Sequence, residues 1–382
     1  MSFLKSPFWE AVGVFGGMII GSGMFALPYA VNVSGIWASL AGAGLALFAV
    51  LSIHLAYGEV VVGTAERHRL PGYVKKYLGT FAGNLNKIGQ VVFFNATLLI
   101  YAVLGGVFLA TIFGGLTFWW TLIFLTASSF ILYFETIEKI GFLNFVLTIP
   151  LIAVTLFISF LAFGKGGIAN VPFYGSDPFF AFGIFVFALT GLSVIPDAYD
   201  IFRFRNVEGE KPLKKVIALG TIIPFILYAI FIVAVLMAAN GLVSEDAVSS
   251  LEGVLGRRAV LLGAIVGFLA VFTSFLVLAY DLRQIYRLDL GVAKRSAWFL
   301  SIFVSAALFL FGLTNFIKMI SIVGGVFIAL DGFFVIFILR KMRRARAGLS
   351  PVRFLSFGRL QQALLILIFA ASIVYEVVYQ IF

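Results

Sequence analysis

The stretch from Gly16 to Pro28 holds four glycines and a serine inside the first long apolar segment. Glycine costs roughly 1 kcal/mol relative to alanine in a helix interior, so this cluster predicts an unwound turn. Unwound backbone survives in lipid only where it is buried in protein or lines a cavity. The N–H groups that begin the second half-helix, at Gly21, Ser22 and Gly23, suit a carboxylate. Close helix packing through small residues is the alternative interpretation.

A second interruption lies in the sixth apolar segment, where Thr190-Gly191 is followed by Pro196. Proline removes a backbone donor and disfavours helical geometry in the residue before it. The half-helix that ends here offers carbonyl groups, which suit an ammonium group or a sodium ion, at Ala188, Leu189, Thr190 and Gly191. An amino acid carries a carboxylate and an ammonium group close together, and it is therefore the substrate class that two facing breaks suit best.

The composition identifies the class of protein that must position these breaks. The chain has 382 residues, of which 62% are hydrophobic and 12% charged. Such a chain is a polytopic membrane protein, and its long runs favour helices over barrel strands. It contains no cysteine and two histidines, which excludes thiol chemistry and a histidine metal centre. We therefore predict neither an enzyme nor a catalytic residue, and no organic cofactor.

Hydropathy predicts an all-α protein with eleven transmembrane helices. Their approximate bounds are Pro7–Val31, Gly35–Gly63, Lys87–Phe113, Leu116–Phe134, Gly141–Phe163, Phe179–Ile201, Leu213–Ala239, Ala259–Leu282, Ala297–Gly312, Asn315–Leu339 and Leu360–Phe382.

The basic residues predict the orientation. With the N-terminus in the cytoplasm, all of the 27 lysines and arginines fall on the inner side except Lys165, Arg257, Arg258 and Lys318. The C-terminus then lies outside, and we expect a multi-pass protein of the cell membrane. The net charge of +10 is explained by this topology and by attraction to anionic lipid, so nucleic acid is not a predicted partner. The oligomeric state stays open.

The two broken segments each open a block of five spans, and because five is odd the blocks enter the membrane from opposite sides. This pattern predicts a 5+5 inverted repeat with discontinuous first and sixth helices. We divide the chain into a first five-helix repeat (residues 1–163), a second, inverted repeat (164–339), and a basic inner loop with an extra eleventh helix (340–382).

Several polar residues near mid-membrane are further candidates. Tyr101, followed by two glycines, could bond substrate or serve only in packing. Asp331 is the deepest acid and the candidate for proton coupling. Acids nearer the inner face, among them Glu59, Asp197, Asp200 and Asp281, are expected to pair with loop arginines such as Arg203 or Arg283.

The chain resembles the amino acid–polyamine–organocation superfamily of transporters, in particular its amino acid/auxin permease and aromatic amino acid permease branches. The similarity rests on GSGMFALPYA (residues 21–30), Tyr57-Gly58-Glu59, Val194-Ile195-Pro196 with Asp200, and Thr273-Ser274-Phe275-Leu276. It implies a LeuT-like fold and coupled transport by alternating access. An arginine that such relatives often carry beyond the first break is replaced here by Ala26 and Leu27.

The resemblance also implies a coupling ion. In sodium-coupled relatives, first-helix carbonyls and an Ala-x-x-Thr-Ser pattern in the eighth helix hold one sodium. The matching residues here are Gly17, Ile20, Ala270, Thr273 and Ser274. Back-bonding of the two hydroxyls to helix carbonyls is the alternative. Some proton-coupled relatives use a fifth-helix lysine instead, which the fifth segment here lacks.

Together these features predict an ion-coupled amino acid symporter, with sodium favoured over protons. The alternative is a non-transporting amino acid sensor or receptor subunit with the same fold. A channel is disfavoured because no ring of charges or filter sequence is present.

Overall fold

The structure is a computed structural model that describes residues 6–134, 137–345, 353–356 and 358–381; of residues 137–145, 288–289 and 380–381 it describes the backbone only. All regular secondary structure in these ranges is helical. The helices are α1 (Pro7–Ile19), α2 (Gly23–Ser34), α3 (Ile36–Val62), α4 (Leu70–Leu78), α5 (Thr80–Phe113), α6 (Thr117–Phe134), α7 (Ile137–Phe163), α8 (Phe180–Leu189), α9 (Ile195–Phe204), α10 (Glu210–Ala239), α11 (Glu252–Leu255), α12 (Arg257–Gln284), α13 (Lys294–Leu310), α14 (Phe316–Ile322), α15 (Ala329–Ala345) and α16 (Arg359–Tyr375).

Long apolar helices dominate the described part of the chain. Nine of its helices are long and apolar enough to cross a membrane, and the bent pair α1–α2 makes a tenth span. The 17-residue α13 occupies the place of the predicted ninth segment. The protein is therefore a multi-pass, all-α membrane protein, and both predicted helix interruptions are confirmed. Residues 346–352 of the basic loop lie outside the described residues.

The region after α3 differs from the sequence prediction in two ways. The loop after α3 contains α4, whose last turn carries Lys75 and Lys76, and α5 begins at Thr80 instead of near Lys87. The hydropathy pattern missed both features because α4 and the first turns of α5 are too polar to be counted as part of a span. Gly79, at φ +95°, separates the two helices, because few other residues adopt a left-handed backbone.

In the described part of the chain, three π-helical turns interrupt or end the later spans. They are Ile285–Asp289 after α12, Val323–Ile328 between α14 and α15, and Glu376–Ile381 after α16. Such turns frequently occur at functional sites, because the widened helix exposes backbone groups and shifts side chains. The second of them packs against α8, the half-helix that leads into the second break.

Candidate substrate and ion site

The first break is a tight turn between α1 and α2, which meet at an angle of 50°. Gly21 N–H donates to the Ile19 carbonyl at 2.8 Å, and Ile20 has φ −72° and ψ 79°. This is the geometry of an inverse γ-turn. The glycines at 21 and 23 let the chain resume as a helix at once, in a new direction.

The second break consists of extended Thr190, Gly191 and a 3₁₀ turn (Leu192–Val194) between α8 and α9. It packs directly on the first break. A methyl group on Gly23 would lie 2.6 Å from Cα of Ala188, and one on Gly191 would lie 2.9 Å from Cγ1 of Ile19. The two interruptions thus meet backbone to backbone, and glycine is needed for that approach.

His54 holds the second break from α3. Gly191 N–H donates to its Nε2 at 3.0 Å, and Thr221 Oγ1 lies 3.1 Å from its Nδ1. Because the Thr221 hydroxyl donates to the Ile217 carbonyl at 2.9 Å, Nδ1 must carry the imidazole proton and donate it. The ring is therefore assigned as neutral, and it supplies an acceptor to a backbone group freed by the break.

Tyr228 of α10 joins the carbonyl ends of both half-helices. Its hydroxyl contacts the Ile19 carbonyl at 2.6 Å and the Ala188 carbonyl at 3.2 Å. Helix C-termini leave carbonyls without internal partners, so a buried donor stabilises them. From the sequence the Ala188 carbonyl was expected to meet a substrate ammonium or a cation, and neither Tyr228 nor His54 was identified. A lone polar residue amid apolar neighbours is the signal that could have found His54.

Besides the Tyr228 hydroxyl, three hydroxyl groups, those of Ser22, Tyr101 and Ser274, lie at the first break. A methyl group placed on Gly21 would lie 3.4 Å from the Tyr101 hydroxyl oxygen and 3.7 Å from Ser274 Oγ. Among the described residues, Ser274 Oγ is buried and has no hydrogen-bond partner, whereas the buried Ser22 Oγ interacts with the Tyr101 hydroxyl. Buried hydroxyls normally have partners, so the Ser274 hydroxyl is available to a ligand.

The other predicted sodium ligands are placed as follows. The Thr273 hydroxyl lies 3.1 Å and 3.2 Å from the Leu269 and Ala270 carbonyls, which is the back-bonding geometry. A methyl group on Gly17 would lie 2.8 Å from Thr148 Oγ1 of α7. Within the described residues no three His, Asp or Glu side chains form a metal cluster. The predicted set consists instead of carbonyl and hydroxyl oxygens, which suffice for a monovalent ion.

A cavity of about 570 Å³ runs from the two breaks toward the predicted inner side. Of the predicted site residues, those that line it are Gly23, Tyr101, Ala188, Thr190, Gly191 and Asp331. Those outside its lining are Gly17, Ile20, Gly21, Ser22, Leu189, Ala270, Thr273 and Ser274. All five sodium candidates therefore lie outside the cavity lining, together with three of the substrate candidates, Gly21, Ser22 and Leu189. The volume is in the range of small-molecule sites.

A cluster of ion pairs lies at the inner end of this cavity and consists of Arg67, Arg69, Asp197, Asp200 and Asp281. Arg69 donates to both carboxylate oxygens of Asp197, at 2.6 Å and 3.0 Å, and to the Ser193 carbonyl at 2.9 Å. It also lies 3.6 Å from Asp281, and Arg67 lies 2.5 Å from Asp200. The loop after α3 is thereby tied to α9 and α12 across the cavity mouth.

These acids pair with loop arginines as expected, but the partners are Arg67 and Arg69 and not the two arginines given as examples. Arg203 donates to the Ala65 carbonyl, and Arg283 donates to the Leu132 carbonyl. Glu59 is paired as expected with a loop-proximal arginine, but the residue is Arg343 at the end of α15, at 2.6 Å and 2.7 Å. Sequence spacing cannot identify such partners, because each pair joins residues far apart in the chain.

Asp331 lies on the cavity wall below the breaks. Its carboxylate accepts from Gln90 Nε2 at 2.8 Å and from Asn86 Nδ2 at 3.1 Å. Gln90 and Tyr101 are both on α5, and eleven residues of helix separate them by about 16 Å. Asp331 is therefore distinct from the hydroxyl cluster at the first break.

Comparisons with known proteins bear on the fold. No protein-family model and no curated protein sequence matches the chain. Among solved structures, a nucleobase-cation-symport-1 family transporter, in a closed conformation with bromovinylhydantoin bound, is similar with a TM-score of 0.64 at 14% identity, covering 97% of this chain and 91% of that one.

Two further structures are similar over nearly the whole chain. MhsT in complex with L-phenylalanine has a TM-score of 0.60 at 18% identity and covers 97% of both chains. A Na⁺-coupled sialic acid symporter, substrate-bound and outward-open, has a TM-score of 0.60 at 13% identity and covers 98% of this chain and 90% of that one. The chain therefore has the LeuT-like fold of these transporters, with broken first and sixth helices.

Proposed function

We propose that this protein is a secondary active transporter that carries an amino acid together with an ion by alternating access. One observation carries the proposal: two broken helices meet backbone to backbone at Gly23 and Ala188, over a cavity large enough for a small solute. Discontinuous helices at the midplane supply binding groups in transporters with inverted repeats. The resemblance to amino acid permeases supports the same class.

The arrangement of charges favours an amino acid. The N-terminal end of α2, with the Ser22 and Tyr101 hydroxyls beside it, suits the substrate carboxylate. The C-terminal ends of α1 and α8 suit the ammonium group, which would share the Ile19 and Ala188 carbonyls with Tyr228. Tyr101 lines the cavity where it would bond the substrate. One similar structure holds L-phenylalanine and another a hydantoin, so the fold itself does not define the substrate.

Sodium is the favoured coupling ion. Ser274 Oγ, buried and unpartnered in the described part of the chain, lies beside the first break and is a hard oxygen ligand. The carbonyls of Gly17, Ile20 and Ala270 and the Thr273 hydroxyl complete the proposed set. The sialic acid symporter with a similar structure is Na⁺-coupled, which agrees with this choice.

The sodium site predicts the behaviour of a double variant. Thr273→Ala with Ser274→Ala removes two hydroxyl ligands, so sodium should no longer increase substrate affinity, whereas affinity without sodium should persist. Titration calorimetry in sodium and in potassium measures both. A Ser249→Ala variant, outside the site, should keep the full sodium effect; an unchanged sodium effect in the double variant would rule out this site.

Coupling to protons through Asp331 is the alternative. The carboxylate lines the cavity and has two amide partners but no cation within 4 Å in the described residues. Asp331→Asn should then make uptake independent of pH, whereas Glu252→Gln, at an exposed acid, should not. A normal pH profile in Asp331→Asn, measured in liposomes, argues against this route.

A non-transporting amino acid sensor is the second candidate function, since the same site would bind its ligand without moving it. The experiment that tests the binding half of the proposal is a screen of the common amino acids against purified protein. We expect one or a few to raise the melting temperature, and more strongly in sodium than in potassium. No stabilisation by any amino acid in either salt would contradict the assigned substrate class.

A further inference from the structure

Glu376 places a carboxyl group from the eleventh span inside the repeat core. It begins the π turn after α16 and is 1% exposed. Methyl groups added to Gly183 of α8 and to Gly325 of the tenth span would lie 2.7 Å and 2.9 Å from its Oε1. Both helices therefore leave space for this carboxyl group, and larger residues would displace it.

The surroundings of Glu376 disfavour its charged form. Ser321 Oγ donates to Oε1 at 2.6 Å, and Oε2 is shielded and has no partner in the described part of the chain. Neither α8 nor the π turn Val323–Ile328 contains a titratable residue, and Lys318 of α14 makes no ion pair with it there. An unpaired buried carboxylate is costly, so such a group takes up a proton.

The other titratable group that acts on Glu376 is Asp177, which is an acid and not a cation. Tyr375 and Tyr379 of the same span stack on each other. Asp177 also ties α16 to the start of α8: Tyr375 donates its hydroxyl to Oδ2 at 2.5 Å, and Phe179 N–H donates to Oδ1 at 3.2 Å. The end of the eleventh span thus contacts α8 both at its beginning and at its middle.

We propose that Glu376 is a proton-binding site that fastens α8 to the tenth span. The neutral carboxyl group packs between the two helices through Ser321, whereas the carboxylate requires water or a cation and separates them. Because α8 ends in the second break, its release changes the substrate site. That consequence for transport rests on the proposed function; the proton site itself does not.

The absence of cysteine in the chain allows a direct test. Ala181 lies in the first turn of α8 and is 1% exposed. The thiol introduced by Ala181→Cys should therefore react with a reagent in water only when α8 moves away from its neighbours. A hydrophilic thiol reagent is applied to this variant in nanodiscs, with Glu376 present or replaced in Glu376→Gln, from mildly acidic to alkaline pH. We divide the labelling rate of the variant that retains Glu376 by the rate of the variant that also carries Glu376→Gln. We expect this ratio to rise about tenfold with pH, equivalent to about 1.4 kcal/mol.

The matched pair removes the pH dependence of the thiol itself, since both proteins carry the same cysteine. A ratio near one at every pH overturns the proposal. Infrared spectroscopy gives a second measurement: the carbonyl band of a protonated carboxylic acid should be lost in Glu376→Gln and kept in Asp177→Asn. An unchanged band in Glu376→Gln also overturns it. A protein that shows both effects but no uptake would contradict only the proposed function.

Discussion

Gly23→Ala is expected to reduce amino acid uptake by at least about tenfold. The added methyl group would lie 2.6 Å from Cα and 2.7 Å from Cβ of Ala188, so the two breaks must separate. Backbone atoms cannot rotate away as a flexible side chain would, and overpacking of this kind costs about 1–3 kcal/mol. Initial uptake rates in liposomes, normalised to the reconstituted protein, measure the effect.

Gly44→Ala is the matched control for Gly23→Ala. It makes the same substitution in α3 at a position where the new methyl group meets no heavy atom within 4 Å. Its uptake should equal that of the unmodified protein. Equal uptake by Gly23→Ala and Gly44→Ala would mean that the contact between the breaks is not needed for function.

Tyr228→Phe is expected to lower both substrate affinity and thermal stability. The change removes the hydroxyl that bridges the Ile19 and Ala188 carbonyls and leaves two buried acceptors without this donor. The Ile19 carbonyl keeps the Gly21 N–H, but the Ala188 carbonyl loses this donor, and a buried group without its partner costs about 1–3 kcal/mol of stability. Because the two half-helix ends are then no longer held together by the hydroxyl, we expect affinity to fall by about tenfold or more. Substrate titrations and melting curves on the purified protein test both effects.

Tyr174→Phe serves as the control, because Tyr174 lies in the connection before α8 and is 85% exposed. It should change neither affinity nor melting temperature. Were Tyr228→Phe to lose stability and keep its affinity, the hydroxyl would have only a structural role, and the assignment of the two carbonyls to the substrate ammonium would be wrong.

The parts of the site that were predicted from sequence are those determined by local chemistry. Helices are interrupted by the backbone properties of glycine and proline themselves, here at Gly21, Gly23, Gly191 and Pro196. The positions of the breaks could therefore be predicted without knowing which residues contact them. The same holds for the long spans, since lipid requires apolar residues along their whole length. The fold and both breaks were therefore predicted correctly.

The parts that were missed depend on contacts between distant residues. Tyr228 meets Ile19 across 209 positions and His54 meets Gly191 across 137, and no local pattern records either contact. Asp197 was expected to pair with a loop arginine such as Arg203 or Arg283, but its partner is Arg69, which binds it across the cavity mouth from a loop 128 positions away. Helix packing decides such pairs, and a single sequence does not contain that information.

Uptake into liposomes that contain the purified protein tests the central claim most directly. With an inward sodium gradient, a labelled amino acid that passed the binding screen should accumulate above its external concentration, and dissipating the gradient should release it. Accumulation under a proton gradient alone would support the proposal of a transporter but would show that its coupling ion is the proton and not sodium. Binding without accumulation under either gradient would contradict the account and favour a sensor.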